Sequence, residues 1–148
     1  MIEAVREFIL LFENEPLPKD ARLQNLAKAL DRLAWTYHET RTLSGPEGYQ
    51  ANHKPDYAEV RALVTKYFPD FGLYPVIQPL SDINSTPDMG DAIDDLADIW
   101  AEMIEVKLLW DAGLMSAAGI QFKLGYEFHW GRHHLHPLRN YISALTFE

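Results

Sequence analysis

The stretch that decides the fold is residues 88–112, DMGDAIDDLADIWAEMIEVKLLWDA. With Asp91 at zero on a helical wheel turning about 100° per residue, Asp94, Asp95, Asp98, Glu102 and Glu105 all fall within about 60° of it. Ile93, Leu96, Ala97, Trp100, Met103 and Ile104 take the opposite side. The spacing predicts an amphipathic helix over 88–112, closed by Gly113, with carboxylates filling its polar face.

This helix also holds most of the charge. The chain has 22 acidic and 13 basic side chains in 148 residues, a net charge of −9. Nine of the acids and one base, Lys107, lie within residues 81–111. Acids in the first turn suit the helix dipole. Asp98, Glu102 and Glu105 lie beyond its reach, and like charges four residues apart repel by about 0.2–0.5 kcal/mol per pair. A solvated face usually mixes its signs, as residues 19–41 do with Lys19, Asp20, Arg22, Lys28, Asp31, Arg32, Glu39 and Arg41. Three explanations stand for the unmixed row: a solvated face, a docking surface for a basic protein, or hard oxygen ligands for a cation.

Working outward, residues 20–40 place Leu23, Leu26, Ala27, Leu30, Leu33, Ala34 and Tyr37 on one helical face, with Asp20 as its cap. A shorter helix is predicted over 2–14, ended by Pro16 and Pro18, and another from an Asp56 cap to about Phe68. Residues 43–55 read as an exposed loop. Pro69 to Pro87 oppose helix yet carry Phe71, Leu73, Tyr74, Val76, Ile77 and Leu80. They predict an ordered strap packed on the bundle, with room for a short strand. A fifth helix runs from a Ser116 cap to about Gly131, and a last helical segment covers roughly 133–146. The fold class is all-α: an irregular antiparallel bundle of about five helices in one domain, 1–148, with a long proline-rich strap between the third and fourth.

Composition excludes several functions. Cysteine is absent, so there is no disulfide framework, thiol nucleophile or thiolate metal site. No signal peptide and no run near the roughly 18 apolar residues of a membrane span is visible. The net charge repels nucleic acid and anionic membranes. No nucleophile elbow, phosphate-binding loop or dinucleotide fingerprint occurs. The Asp91/Asp94, Asp95/Asp98 and Glu102/Glu105 spacing faintly resembles that of all-α nucleotide pyrophosphatases, but residues 20–40 supply no matching acidic helix.

Four of the six histidines lie in residues 128–136, FHWGRHHLH. On a continuous helix His129 and His133 share a face. With a carboxylate from the fourth helix they would make a two-imidazole, one-carboxylate set suited to zinc or iron. The bland alternative is aromatic and histidine packing against the acidic face. The His-Glu-x-x-His of zinc proteases and the Glu-x-x-His of ferritin-like proteins are both absent.

The segments 68–74 (FPDFGLY), 94–99 (DDLADI), Trp130-Gly131 and Leu138-Arg139 together resemble an uncharacterised bacterial domain-of-unknown-function family, the DUF5063-like proteins, over about residues 56–142. That resemblance implies a bacterial, cytoplasmic, helical protein and carries no activity with it. The functional expectation is therefore a non-enzymatic binding protein with no cofactor. It presents Asp91, Asp94, Asp95, Asp98, Glu102 and Glu105 to a basic partner, such as the toxin neutralised by a bacterial immunity protein. The alternative is a metal-binding protein or metal-dependent enzyme built from those carboxylates with His129 and His133.

Overall fold

The computed structural model describes residues 1–41 and 54–147. The loop expected over 43–55 lies outside the described residues except for its last two. The chain is mainly helical, in the order α1 (Ile2–Leu10), α2 (Lys19–Glu39), α3 (Tyr57–Tyr67), β1 (Leu73–Val76), β2 (Asp88–Asp91), α4 (Ala92–Asp111), α5 (Met115–Phe128), a π-helical segment (Trp130–Leu135) and α6 (His136–Phe147). Six α-helices are thus seen among the described residues where about five were expected. Among the described residues, no helix is long and apolar enough to cross a membrane.

The core is made by the predicted apolar stripes. Leu26, Leu30 and Leu33 of α2, Phe8 of α1, Val64 of α3 and Leu96, Ile99 and Met103 of α4 are all fully buried in one core. Each such side chain contributes about 1.5–3 kcal/mol on leaving water. Phe12 packs on the rings of Tyr67, Phe68 and Trp100 at centroid distances of 5.5 to 6.5 Å. Helix α4 is the hub: α1, α3, α5, α6 and the π segment all pack on it.

Several helix ends differ from the expected ones. The cap of α3 is as expected, with the Asp56 carboxylate accepting from the Glu59 N–H at 3.1 Å, and Gly113 follows α4 with φ of +81°, a conformation suited to glycine. Helix α2 begins one residue before Asp20, on Pro18, and α5 begins at Met115 with no side-chain cap, so neither Asp20 nor Ser116 is the N-cap. Helix α4 begins at Ala92 because residues 88–91 form a strand instead. That strand pairs antiparallel with β1, setting Leu73 against Asp91, Tyr74 against Gly90, Pro75 against Met89 and Val76 against Asp88. Asp91 then ends the strand and caps α4, accepting from the N–H groups of Ile93 and Asp94.

Only the first part of the proline-rich passage packs on the helices. Phe71 and Tyr74 are buried, whereas Leu73, Ile77 and Leu80 are exposed. Alternation along β1 explains the split at Leu73 and Tyr74. Gly90 fixes how Tyr74 lies: a Cβ there would sit 2.7 Å from the tyrosine Cζ, so the ring fills the space above the glycine.

Candidate metal centre

Helix α4 carries the acidic row, but the row does not point into solvent. It faces β1, α3, α5 and the π segment, each of which supplies a partner. At its start, Arg61 of α3 donates to Asp91 at 2.7 Å and to Asp94 at 3.1 Å. Burial opposes the charge on Asp91. The Arg61 guanidinium and the capping N–H groups outweigh it and hold the carboxyl below the usual carboxylate range.

One turn on, Asp95 is buried. It accepts from the Tyr74 hydroxyl at one oxygen and meets His134 Nδ1 at 2.8 Å with the other. Burial, then the Asp95 hydrogen bond, pushes the Tyr74 hydroxyl well above the ordinary tyrosine range, so it stays a donor. Asp98 follows, with Oδ2 3.4 Å from His134 Nε2. Glu102 meets His129 Nδ1 at 2.8 Å with one oxygen and accepts from Gln121 at 3.1 Å with the other. Glu105 is buried and accepts from the same Gln121 amide at 3.1 Å. Burial, then the Glu102 charge, raises the Glu105 pKa, with Lys54 working the other way.

The expectation that all six carboxylates face outward is therefore corrected. Asp95 and Glu105 are buried, Asp91 and Asp94 are tied to Arg61, and Glu102 lies under His129 and Gln121. The hub position of α4 is the cause, since a helix packed on nearly every side has no wholly free face. Arg139 of α6 pairs with Asp31 of α2 and not with the acidic row.

The histidines rearrange for a local reason. Between Trp130 and Leu135 the backbone is π-helical. Helix α5 ends at Phe128, and His129 stands in a non-helical conformation (φ −142°, ψ −92°) before the wider π turn begins, so the chain is not one continuous α-helix here and His129 meets a residue five places on. That residue is His134, and the two Nε2 atoms stand 3.4 Å apart. His133, expected as the second ligand on an α-helical spacing, is outside this group; it is exposed and lines a separate cleft. Two glycines admit the arrangement. A Cβ at Gly131 would come within 2.6 Å of the Tyr126 carbonyl oxygen, and one at Gly125 would come 2.6 Å from the Trp130 ring and 3.0 Å from Glu102 Oε2.

The ligand-type atoms of Asp98, His129 and His134 all lie within 4.8 Å of one another. Each histidine has its Nδ1 against a carboxylate, Glu102 for His129 and Asp95 for His134. An ionised carboxylate can only accept, so each Nδ1–H donates, and the two Nε2 atoms face each other beside Asp98. A tetrahedral ion with metal–nitrogen bonds of about 2.0–2.1 Å needs its donor atoms about 3.3–3.4 Å apart. The His129–His134 and His134–Asp98 separations, both 3.4 Å, fit that requirement. Burial disfavours charge on His134, but the Asp95 hydrogen bond and the Asp98, Asp95 and Asp94 charges outweigh it and raise its pKa. The field at this ring favours a cation.

No family model and no curated protein matches the chain. Among solved structures it is similar to the crystal structure of protein BF1032 from Bacteroides fragilis, with a TM-score of 0.73 and 12% identity, over 99% of this chain and 93% of that one. The likeness is one of fold.

Proposed function

We propose that this protein binds a divalent transition-metal ion, zinc or ferrous iron, through His129 Nε2, His134 Nε2 and Asp98 Oδ2. The observation that carries the reading is the 3.4 Å approach of two imidazole Nε2 atoms whose Nδ1 atoms are both held by carboxylates. The carboxylates leave these two Nε2 atoms to each other, and a shared cation would be coordinated by both. Imidazole and carboxylate suit zinc and non-haem iron alike.

Glu102 and Asp95 are positioning residues in this account. They orient the two rings, and Tyr74 and Gln121 hold the carboxylates in turn. Three protein ligands leave coordination open for water or a substrate group, and such an ion supplies an activated water when bound. His129 is half-exposed, so the open side is reachable from solvent.

Docking of a basic toxin on the acidic helix loses its premise here, because the carboxylates it relies on are largely satisfied within the fold. Titration calorimetry of metal-free protein with zinc, and with ferrous iron under anaerobic conditions, separates the readings. One ion per chain should bind, and His129→Ala, His134→Ala and Asp98→Ala should each weaken it by at least about 100-fold. His133→Ala should bind as the parent does. Equal losses in His133→Ala, or none in His134→Ala, would remove the proposal.

A further inference from the structure

On another face of the π segment, strand β1 and the residues following it form a cleft of about 310 Å³ with α6. Its polar lining is Gln78, Arg132, His133, His136 and Asn140, with the Tyr74 ring at one wall, and no carboxylate takes part. That composition is unusual for a chain with net charge −9. Five of the other arginines pair with carboxylates: Arg6 with Asp111, Arg22 with Asp70, Arg32 with Glu7, Arg61 with Asp91 and Arg139 with Asp31. Among the described residues Arg132 has no carboxylate within ion-pair distance and His133 no hydrogen-bond partner. His136 has one ring nitrogen on the Tyr126 hydroxyl at 3.0 Å.

The geometry points to this cleft as a binding site for a small organic molecule bearing a phosphate group. An unpaired guanidinium presents a fork of donors matched to phosphate oxygens, and Gln78 after β1, His133 of the π segment, and His136 and Asn140 of α6 line the same cleft. A carboxylate would engage the fork alone, whereas a phosphate has a further oxygen for the remaining donors. The proline and valine side of the cleft, Pro75, Val76 and Pro137, suits a carbon body. The volume admits a small molecule and not a polymer. This inference stands independently of the metal site, although Tyr74 belongs to both, through its ring here and its hydroxyl on Asp95 there.

The test is a titration of ¹⁵N-labelled protein, kept in chelator, with inorganic phosphate, phenyl phosphate and benzoate, followed by amide chemical shifts. The expected result is saturable shifts confined to residues 74–79 and 132–140, tighter for phenyl phosphate than for phosphate or benzoate. Arg132→Ala should weaken phenyl phosphate by about tenfold or more, and Arg132→Lys should restore only part of the loss, with both spectra otherwise unchanged. Absent or scattered shifts, an Arg132→Ala affinity equal to the parent's, or benzoate binding as tightly as phenyl phosphate would overturn the assignment. Because chelator is present throughout, failure here leaves the metal proposal untouched, and failure of that proposal leaves this one standing.

Discussion

His129 and His134 are five residues apart, and their ring nitrogens meet at 3.4 Å across the break at His129, where α5 ends and the π-helical segment begins. A straight α-helix would have carried His134 about 140° around the axis from His129. The break and the wider turn align both rings with the carboxylates of α4. Glu102 and Asp95 then take one nitrogen of each ring and leave the other two converging with Asp98.

The supporting carboxylates should matter nearly as much as the ligands. Glu102→Gln and Asp95→Asn keep size and remove charge, so the rings lose a strong acceptor without losing volume. Each should weaken zinc binding by about 10–100-fold while the far-ultraviolet circular dichroism stays that of the parent. Unchanged affinity in both variants would show that the rings are held by packing alone.

Gly125 is expected to resist substitution. Alanine gains about 1 kcal/mol in helix propensity over glycine. Here its Cβ would meet the Trp130 ring at 2.6 Å and Glu102 at 3.0 Å. Overpacking of about 1–3 kcal/mol should win, lowering Tm and displacing Glu102 from His129. A Gly125→Ala variant with raised Tm would contradict the packing described.

The pH dependence of Glu105 has a definite sign. Burial and the Glu102 charge raise its folded-state pKa above the unfolded value. The folded state therefore holds the proton more tightly. The associated stability is fully present below the unfolded pKa and is lost as pH rises through the folded one. At neutral pH the ionised, buried Glu105 opposes folding. Glu105→Gln, whose amide oxygen still accepts from Gln121, should melt higher than the parent at pH 7.5, with the advantage shrinking toward pH 4. Thermal melts at both pH values check this; a variant less stable at pH 7.5 would show the charge to be favourable.

Asp91 joins two tasks, capping α4 and pairing with Arg61. Asp91→Ala should lose about 1–2 kcal/mol, and Arg61→Ala, being half-exposed, less than about 1 kcal/mol. The double variant should lose less than the two single losses combined, since the shared ion pair is removed once. Denaturant unfolding of the four proteins measures the coupling; strict additivity would mean the pair contributes nothing.

Much of this fold was legible in the sequence, and the exceptions share a cause. The stripe of α2, the Asp56 cap and the helical core of α4 follow from local periodicity, which tertiary packing here reinforces. The strand at 88–91 was hidden because Asp88, Met89 and Gly90 have little strand preference. They pair because β1 lies alongside and the Tyr74 ring needs a glycine opposite. The acidic residues of α4 were found, but their exposure was misjudged, since Arg61, Tyr74, Gln121 and the histidines come from distant segments. A histidine pair was also expected, with His133 in the place that His134 takes. The only hint was Gly131 between the rings, whose missing side chain makes room for Tyr126 and the π turn.

An anomalous-difference map from a crystal of the tag-free protein soaked in zinc tests the central claim most directly. One strong peak should lie about 2.0–2.2 Å from His129 Nε2, His134 Nε2 and Asp98 Oδ2. A fully soaked crystal with no density between these atoms, or with its zinc on His133, would contradict it.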